Sequence, residues 1–384
     1  MIVKAPDWFH KAKIYHIFID RFAGDISGKN RPEFMGGTIK GIIEHLEYIK
    51  NLGFNTIWLS PFYKGVAYHG YHITDFYSVD EHFGNIEDIK QLVSVAHSEN
   101  IKVIADFIPN HCSRHHPYFE EAKNDQNSQY YNWFYFKHWP DDYLCFMYFR
   151  SLPKLNLNNK DTYQYVANAA KYWLSTGIDG FRLDHAIGPS HKFWDIFYND
   201  IKFEYPETVL IGEVWGQGFS PKLFKTIGIN HKTIRRVTGV TQESLQHEYV
   251  GVLDGVLDFK LNDIMIQGVK KGKGFSKDKH FRHQVDHHIK KYPNDYLVTF
   301  LDNHDVNRFM LHCNDDFDLV REAIDFLLST NRPYAMYYGT EIGMTQKSYF
   351  NNESHSDLLA RAPFNWKRYN KTRVEQVRKI LNNY

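Results

Sequence analysis

Eight short runs rich in β-branched and aromatic residues recur along this chain, and stretches with helical periodicity lie between them. The runs are IYHIFID from Ile14, TIWLSP from Thr56, KVIADFI from Lys102, GFRLD from Gly180, VLIGEV from Val209, GVLDFKL from Gly255, LVTFLDN from Leu297 and YAMYYGTE from Tyr334. Strands that alternate with helices pair in parallel, and eight of them close on themselves. The expected fold class is therefore α/β, a (β/α)8 TIM barrel.

The helical pieces fit the gaps. TIKGIIEHLEYIKNLG has Thr38 as a cap and Gly53 as a stop, and NIEDIKQLVSVAHSEN, TYQYVANAAKYWLSTG, PSHKFWDIFYNDIKFEY, DDFDLVREAIDFLLST and KTRVEQVRKILNNY follow. One connection is out of proportion: about fifty residues, 111–160, follow the third strand, where βα loops run to about two to six. The expectation is a barrel built from 1–110 and 161–384, with 111–160 as a small subdomain inserted after strand 3 and no separate N-terminal or C-terminal β domain. The stretch from Phe224 to Asp254 reads as helix and irregular loop.

Charge excludes one class of partner. Lys and Arg total 46 against 45 Asp and Glu, so nothing favours a nucleic acid. No apolar run is long enough for a signal-peptide core or a membrane span, and three irregularly spaced cysteines suit a reducing compartment. A cytoplasmic protein with no membrane partner is expected.

The chemistry gathers where a barrel keeps its working face, at the C-terminal ends of the strands. DFIPNH supplies Asp106, Asn110 and His111; GFRLDHAIG supplies Arg182 and Asp184; GEVW supplies Glu213; FLDNHD supplies His304 and Asp305; and YHGYHITDFY, before the third strand, supplies Tyr71 and Asp75. Arg182 and Asp184 share one face of a buried strand, a placement that costs several kcal/mol unless the charges are paired or used. Carboxylates converging on one mouth, with no cysteine cluster and no phosphate loop, point to glycoside hydrolysis: one attacks the anomeric carbon, another protonates the leaving oxygen. Val214 and Trp215 should raise the pKa of Glu213, and Arg182 should keep Asp184 ionised.

With these segments in view the chain resembles the α-amylase family of retaining glycoside hydrolases, and the match runs through nearly all of it. DFIPNH, GFRLDHAIG, GEVW and FLDNHD match its four characteristic segments, and GYHITDFYSVDEHFG and YYGTEIGM match flanking ones. The resemblance implies Asp184 as nucleophile, Glu213 as acid/base and Asp305 as the carboxylate that binds sugar hydroxyls and stabilises the transition state. It implies that Tyr71 stacks under the cleaved sugar while His111, Arg182 and His304 line the same subsite. Asp106 belongs to the same cluster, and Asp75 and Arg308 are expected to brace the mouth through ion pairs. The implied activity is hydrolysis of α-1,4 bonds in maltodextrins, starch or cyclodextrins. A 4-α-glucanotransferase or an α-1,6-acting glucosidase uses the same scaffold. A non-catalytic partner subunit is the reading from another class, but such relatives typically lose one of the three carboxylates, and all three are present.

The insert, with YYNWFYF followed by LPKLNLNN, is similar to that of the cyclomaltodextrinase and neopullulanase branch, whose flanking β domains are not expected from the runs read here. Oligomeric state is left open. No organic cofactor is implied. Asn110 matches a family calcium ligand, so a structural Ca²⁺ is implied, although the Lys-His pair that many α-amylases carry after the nucleophile is replaced by Ile187 and Gly188. His111, Cys112, His115 and His116 do not have the spacing of a closed zinc site. His283 and His287 read as a solvated helix face, and Trp133, Phe134, Tyr135 and Phe136 read as core of the insert. Trp139 and Trp215 are the sugar-platform candidates.

Overall fold

The computed structural model describes residues 4–24, 30–216, 240–272, 274–275, 278–351 and 355–384. Its centre is a closed barrel of eight parallel strands: β1 (Lys13–Ile17), β2 (Thr56–Leu59), β3 (Lys102–Phe107), β4 (Gly180–Leu183), β5 (Val209–Gly212), β6 (Gly255–Leu257), β7 (Leu297–Phe300) and β8 (Tyr334–Tyr337), with β8 closing on β1. Each expected strand run overlaps one of them. Every β2, β4, β5, β7 and β8 residue is buried, as parallel strands covered on both faces require.

Two separate cores result. Ile14, Ile104, Ile211, Leu257 and Val298 point inward and fill the barrel, and Phe9, on a 3₁₀ turn (Asp7–Lys11), plugs its lower end. The larger core lies between the strands and the surrounding helices. The helix Phe317–Leu328 illustrates the pattern: Phe317, Val320, Ala323, Ile324, Leu327 and Leu328 are buried, a stripe at helical spacing.

Local signals set the helix ends. Thr38 accepts from the backbone N–H of Gly41, and Gly53 closes the second helix at φ 104°. The first expected helix is in fact two, Ile39–Glu44 and Leu46–Leu52, broken at His45, whose ring stacks on Trp366. Ahead of β3 the chain also forms an antiparallel hairpin (Tyr63–Gly65 with Ile73–Val79), an element outside the eight expected strand runs. It carries Asp75, and Tyr71 lies in its turn.

Residues 111–160 hold a helix (Pro117–Asn124), a 3₁₀ turn (Tyr131–Trp133) and a short hairpin (Phe136–His138 with Asp142–Tyr143). Trp133 and Phe134 are buried, but with Phe119 and Leu155 they join the core between barrel and helices rather than forming a separate one. A bridge from His111 to Lys154 folds the end of the segment back beside the residues that follow β3, and one from Phe134 to Leu155 ties the segment to itself. Most of 224–254 lies outside the described residues; its described end carries a short helix, Gln242–His247. No helix among the described residues is long and apolar enough to cross a membrane.

Candidate active site

Strand register brings the first charged pair together. Asp106 on β3 and Arg182 on β4 are direct cross-strand partners, and both are almost fully buried. Arg182 Nη1 donates to Asp106 Oδ1 at 2.7 Å and to Asp184 Oδ1 at 2.8 Å, while Nη2 lies 2.5 Å from Glu213 Oε1. One guanidinium therefore serves three carboxylates. The other oxygen of Glu213 accepts from the backbone N–H of His185 at 2.9 Å.

A second string of contacts runs to the far side of the mouth. Asp106 Oδ2 accepts from Tyr71 Oη at 3.0 Å and from the Trp58 indole at 3.3 Å. The Tyr71 hydroxyl also lies 2.6 Å from His304 Nε2, and the two rings stack 5.4 Å apart at 12°. His304 Nε2 in turn lies 2.9 Å from Asp305 Oδ2. Tyr71 reaches this position because Gly70 precedes it at φ 79°, where a Cβ would fall 2.1 Å from the Pro61 carbonyl oxygen.

Burial sets the protonation balance. It pushes Glu213 above the usual carboxylate range, as the sequence reading expected, and it also pushes Asp106 up. Asp184 departs from expectation. Burial drives it well above its ordinary value, Glu213 and Asp106 add to the push, and Arg182, shared three ways, only opposes it. These groups titrate as a unit, and a proton shared among them is the consequence of three carboxylates facing one guanidinium. Burial also opposes the charge of Asp305, but His304 and Arg361 outweigh it and hold Asp305 well below the usual carboxylate range.

Arg361 carries no motif, and the sequence reading missed it. It lies just after a 3₁₀ turn (Ser356–Ala360), with Nη2 3.1 Å from Asp305 Oδ1, Nε donating to the His304 carbonyl at 2.9 Å and Nη1 2.5 Å from Asp357. Arg361→Gln should raise the pKa of Asp305. Because Asp184 titrates above Asp305, the acid limb of kcat/KM should stay where it is in the parent, while its plateau falls by about 10-fold or more as Asp305 loses a cation that holds it in place.

His16 on β1 was also missed: buried, it stacks on Trp58 at 3.6 Å and meets His304 edge-on. Phe146 of the insert lies against both His111 and His185.

Other expectations land differently. Asp75 and Arg308 make no ion pair with any described residue. Asp75 accepts from Tyr77 N and Ser78 Oγ, and Arg308 donates to the carbonyls of Ala360 and Tyr338 and lies over the Tyr337 ring. Asp75 bonds within its own hairpin strand and Arg308 reaches carbonyls far along the chain, so neither braces the mouth through an ion pair with a described residue. Trp215 stacks face to face on Phe259 at 4.9 Å, so one face of this platform candidate is taken, and the Trp139 indole donates to the Ala122 carbonyl. His283 and His287 are exposed on the helix Lys279–Ile289. No group of three or more His, Cys, Asp or Glu side chains suited to a metal occurs among the described residues; His116 caps the helix that follows it.

The implied calcium ligand sits in a different setting. Asn110 Oδ1 is buried without a partner and faces Gly188, where a Cβ would fall 2.2 Å from it. The cation that reaches Gly188 is already present: Lys154 Nζ donates to its carbonyl at 2.8 Å. An ammonium here and a lone amide oxygen do not make the oxygen-rich donor set that Ca²⁺ requires.

Fold and mouth together define a (β/α)8 barrel with three buried carboxylates around one guanidinium at the C-terminal ends of its strands. The chain belongs to the α-amylase family: residues 16–379 match the α-amylase catalytic domain. It is 42% identical to "Alpha-amylase 2" of Dictyoglomus thermophilum over 89% of this chain and 57% of that protein. It is 30% identical to a cyclomaltodextrinase of Geobacillus thermopakistaniensis over 90% of this chain and 58% of that protein. The acarbose complex of the α-amylase of Geobacillus thermoleovorans superposes with a TM-score of 0.76 at 28% identity, covering 97% of this chain and 78% of that one. The chain thus spans less than three fifths of the length of the two curated relatives.

Proposed function

We propose that this barrel hydrolyses α-1,4-glucosidic bonds in maltodextrins or cyclodextrins with retention of configuration. The observation that carries the reading is the single guanidinium of Arg182 joining Asp184 and Glu213. Carboxylates tethered so closely suit double displacement, for which the pair stands about 5–5.5 Å apart, rather than inversion, which needs roughly 6.5–9.5 Å.

Asp184 attacks the anomeric carbon while Glu213, whose raised pKa suits an acid, protonates the leaving oxygen; Glu213 then takes a proton from the water that releases the sugar. The shared proton belongs on Glu213 in the reactive state, which leaves Arg182 to stabilise the Asp184 carboxylate. Asp305, held ionised, supplies negative charge beside the oxocarbenium-like ring, and Tyr71 over His304 offers an aromatic floor. Cyclodextrin as substrate draws support from the named cyclomaltodextrinase relative and the aromatic insert at the mouth. Three unpaired cysteines support a reducing, cytoplasmic setting.

The test is product analysis on maltoheptaose, β-cyclodextrin and pullulan with the anomer read by NMR. Short α-anomeric maltooligosaccharides are expected. Products longer than the substrate would replace hydrolysis by transfer, cleavage confined to pullulan would point to α-1,6 bonds, and no turnover on any α-glucan would overturn the reading.

Calcium is not needed in this account, because the Lys154 ammonium serves the Gly188 carbonyl. EDTA should leave the Tm and the rate unchanged; a Tm drop restored by Ca²⁺ would contradict this.

A further inference from the structure

The backbone that follows Glu213 is clamped by a buried polar relay that none of the roles above uses. Gln242 Nε2 donates to the Val214 carbonyl at 2.6 Å, and Gln242 Oε1 accepts from Gly216 N–H at 2.9 Å. One side-chain amide thus holds both peptide groups that flank Trp215. Gln242 in turn donates to Gln246 Oε1 at 2.9 Å, and Gln246 donates to Asp258 Oδ1 at 3.0 Å. Asp258 directly follows β6, caps the helix Phe259–Lys270, and has His288 Nε2 3.0 Å from each of its oxygens. His288 Nδ1 lies 3.1 Å from Glu243, which also takes Lys291.

The relay lies in the interior. Gln242 is 5% exposed, Gln246 and Asp258 0%, and His288 2%. Burying four such side chains is costly unless all are satisfied, and a satisfied network fixes its members in one arrangement. The arrangement it fixes bears on Glu213. On one side the Glu213 backbone is anchored to β4, its N–H donating to Leu183 O and its carbonyl accepting from Ala186 N. On the other side the ladder to β6 ends at Gly212, paired with Val256, and the described residues just after Glu213 are gripped by Gln242. Trp215, stacked on Phe259 one residue beyond Asp258, joins the same frame.

We propose that Gln242, backed by Gln246, Asp258 and His288, is a positioning residue for the acid/base group Glu213. The relay references the Glu213 loop to β6, so that its carboxyl stays between Arg182 and the His185 N–H. The inference rests on the reading of Glu213 as general acid. Its signature is a dependence on the leaving group: a misplaced acid slows loss of a sugar alkoxide, which must be protonated, but not loss of fluoride, which departs without a proton as Asp184 attacks.

The experiment compares maltoheptaose with α-maltosyl fluoride for the parent, Gln242→Met, Gln246→Met and Glu213→Gln. Gln242→Met should lower kcat on maltoheptaose about 10–100-fold with KM unchanged, the size expected for a displaced catalytic group, while the first turnover of the fluoride stays within about threefold. Gln246→Met should move the same ratio in the same direction, and it decides the matter if Gln242→Met does not fold. Glu213→Gln must show the largest split. If Glu213→Gln shows none, the general-acid reading fails; if it shows the split and both glutamine variants slow both substrates equally, or neither, the relay proposal is overturned.

Discussion

Asp184→Asn is expected to lower kcat by roughly 10⁴-fold or more on maltoheptaose and on α-maltosyl fluoride alike, because a nucleophile is needed whatever leaves. Glu213→Gln should differ in kind, losing about 10²–10⁴-fold on maltoheptaose while keeping the first turnover of the fluoride. The two carboxylates stand in the same pocket on the same guanidinium, so their division of labour is the sharpest consequence of the assignment. Initial rates on both substrates check it. Equal losses for both variants on both substrates would mean that the two residues do not have separate roles.

Arg182→Gln is the second large effect, and it combines stability with pH. The guanidinium is the positive partner of Asp106, Asp184 and Glu213, all buried, and removing one member of a buried charge network costs about 3–5 kcal/mol. The sign with pH follows from the carboxylates. Burial already raises all three above their unfolded values, and without Arg182 they rise further. A group with a raised folded pKa destabilises the fold when ionised, so the variant should lose most at neutral and alkaline pH and recover as acid protonates the cluster. Denaturant unfolding at a series of pH values measures this. Activity should fall too, since fewer molecules carry an ionised Asp184 at neutral pH. A loss of stability that does not change with pH would contradict the shared-cation account.

The barrel was legible because its signals are local. Each strand run is bounded by turn residues and each helix shows its stripe, so eight βα units could be read in order. The site was legible where chemistry sits at strand ends, as with Asp106, Arg182, Asp184, Glu213, His304 and Asp305. What failed depended on contacts between distant residues. Nothing in the order of Asp106, Asp184 and Glu213 says that all three would share Arg182, so Asp184 looked paired when it was competing. Asp75 and Arg308 were expected to brace the mouth through ion pairs, but Asp75 bonds within its own strand and Arg308 to the distant carbonyls of Tyr338 and Ala360. Arg361 stands in a loop without periodicity, and its place beside Asp305 exists only once β7 and β8 lie side by side. Gln242 and Gln246 are invisible for another reason: a side-chain amide announces no chemistry until the groups it bridges are known.

The most direct test of the central claim is mass spectrometry of the Glu213→Gln variant after brief exposure to α-maltosyl fluoride. The variant can still lose fluoride but lacks the base that activates water, so the glycosyl-enzyme should accumulate. The account predicts one maltosyl group on the peptide that contains Asp184. An adduct on another residue, or turnover of the fluoride to β-maltose with no adduct at any time, would contradict it.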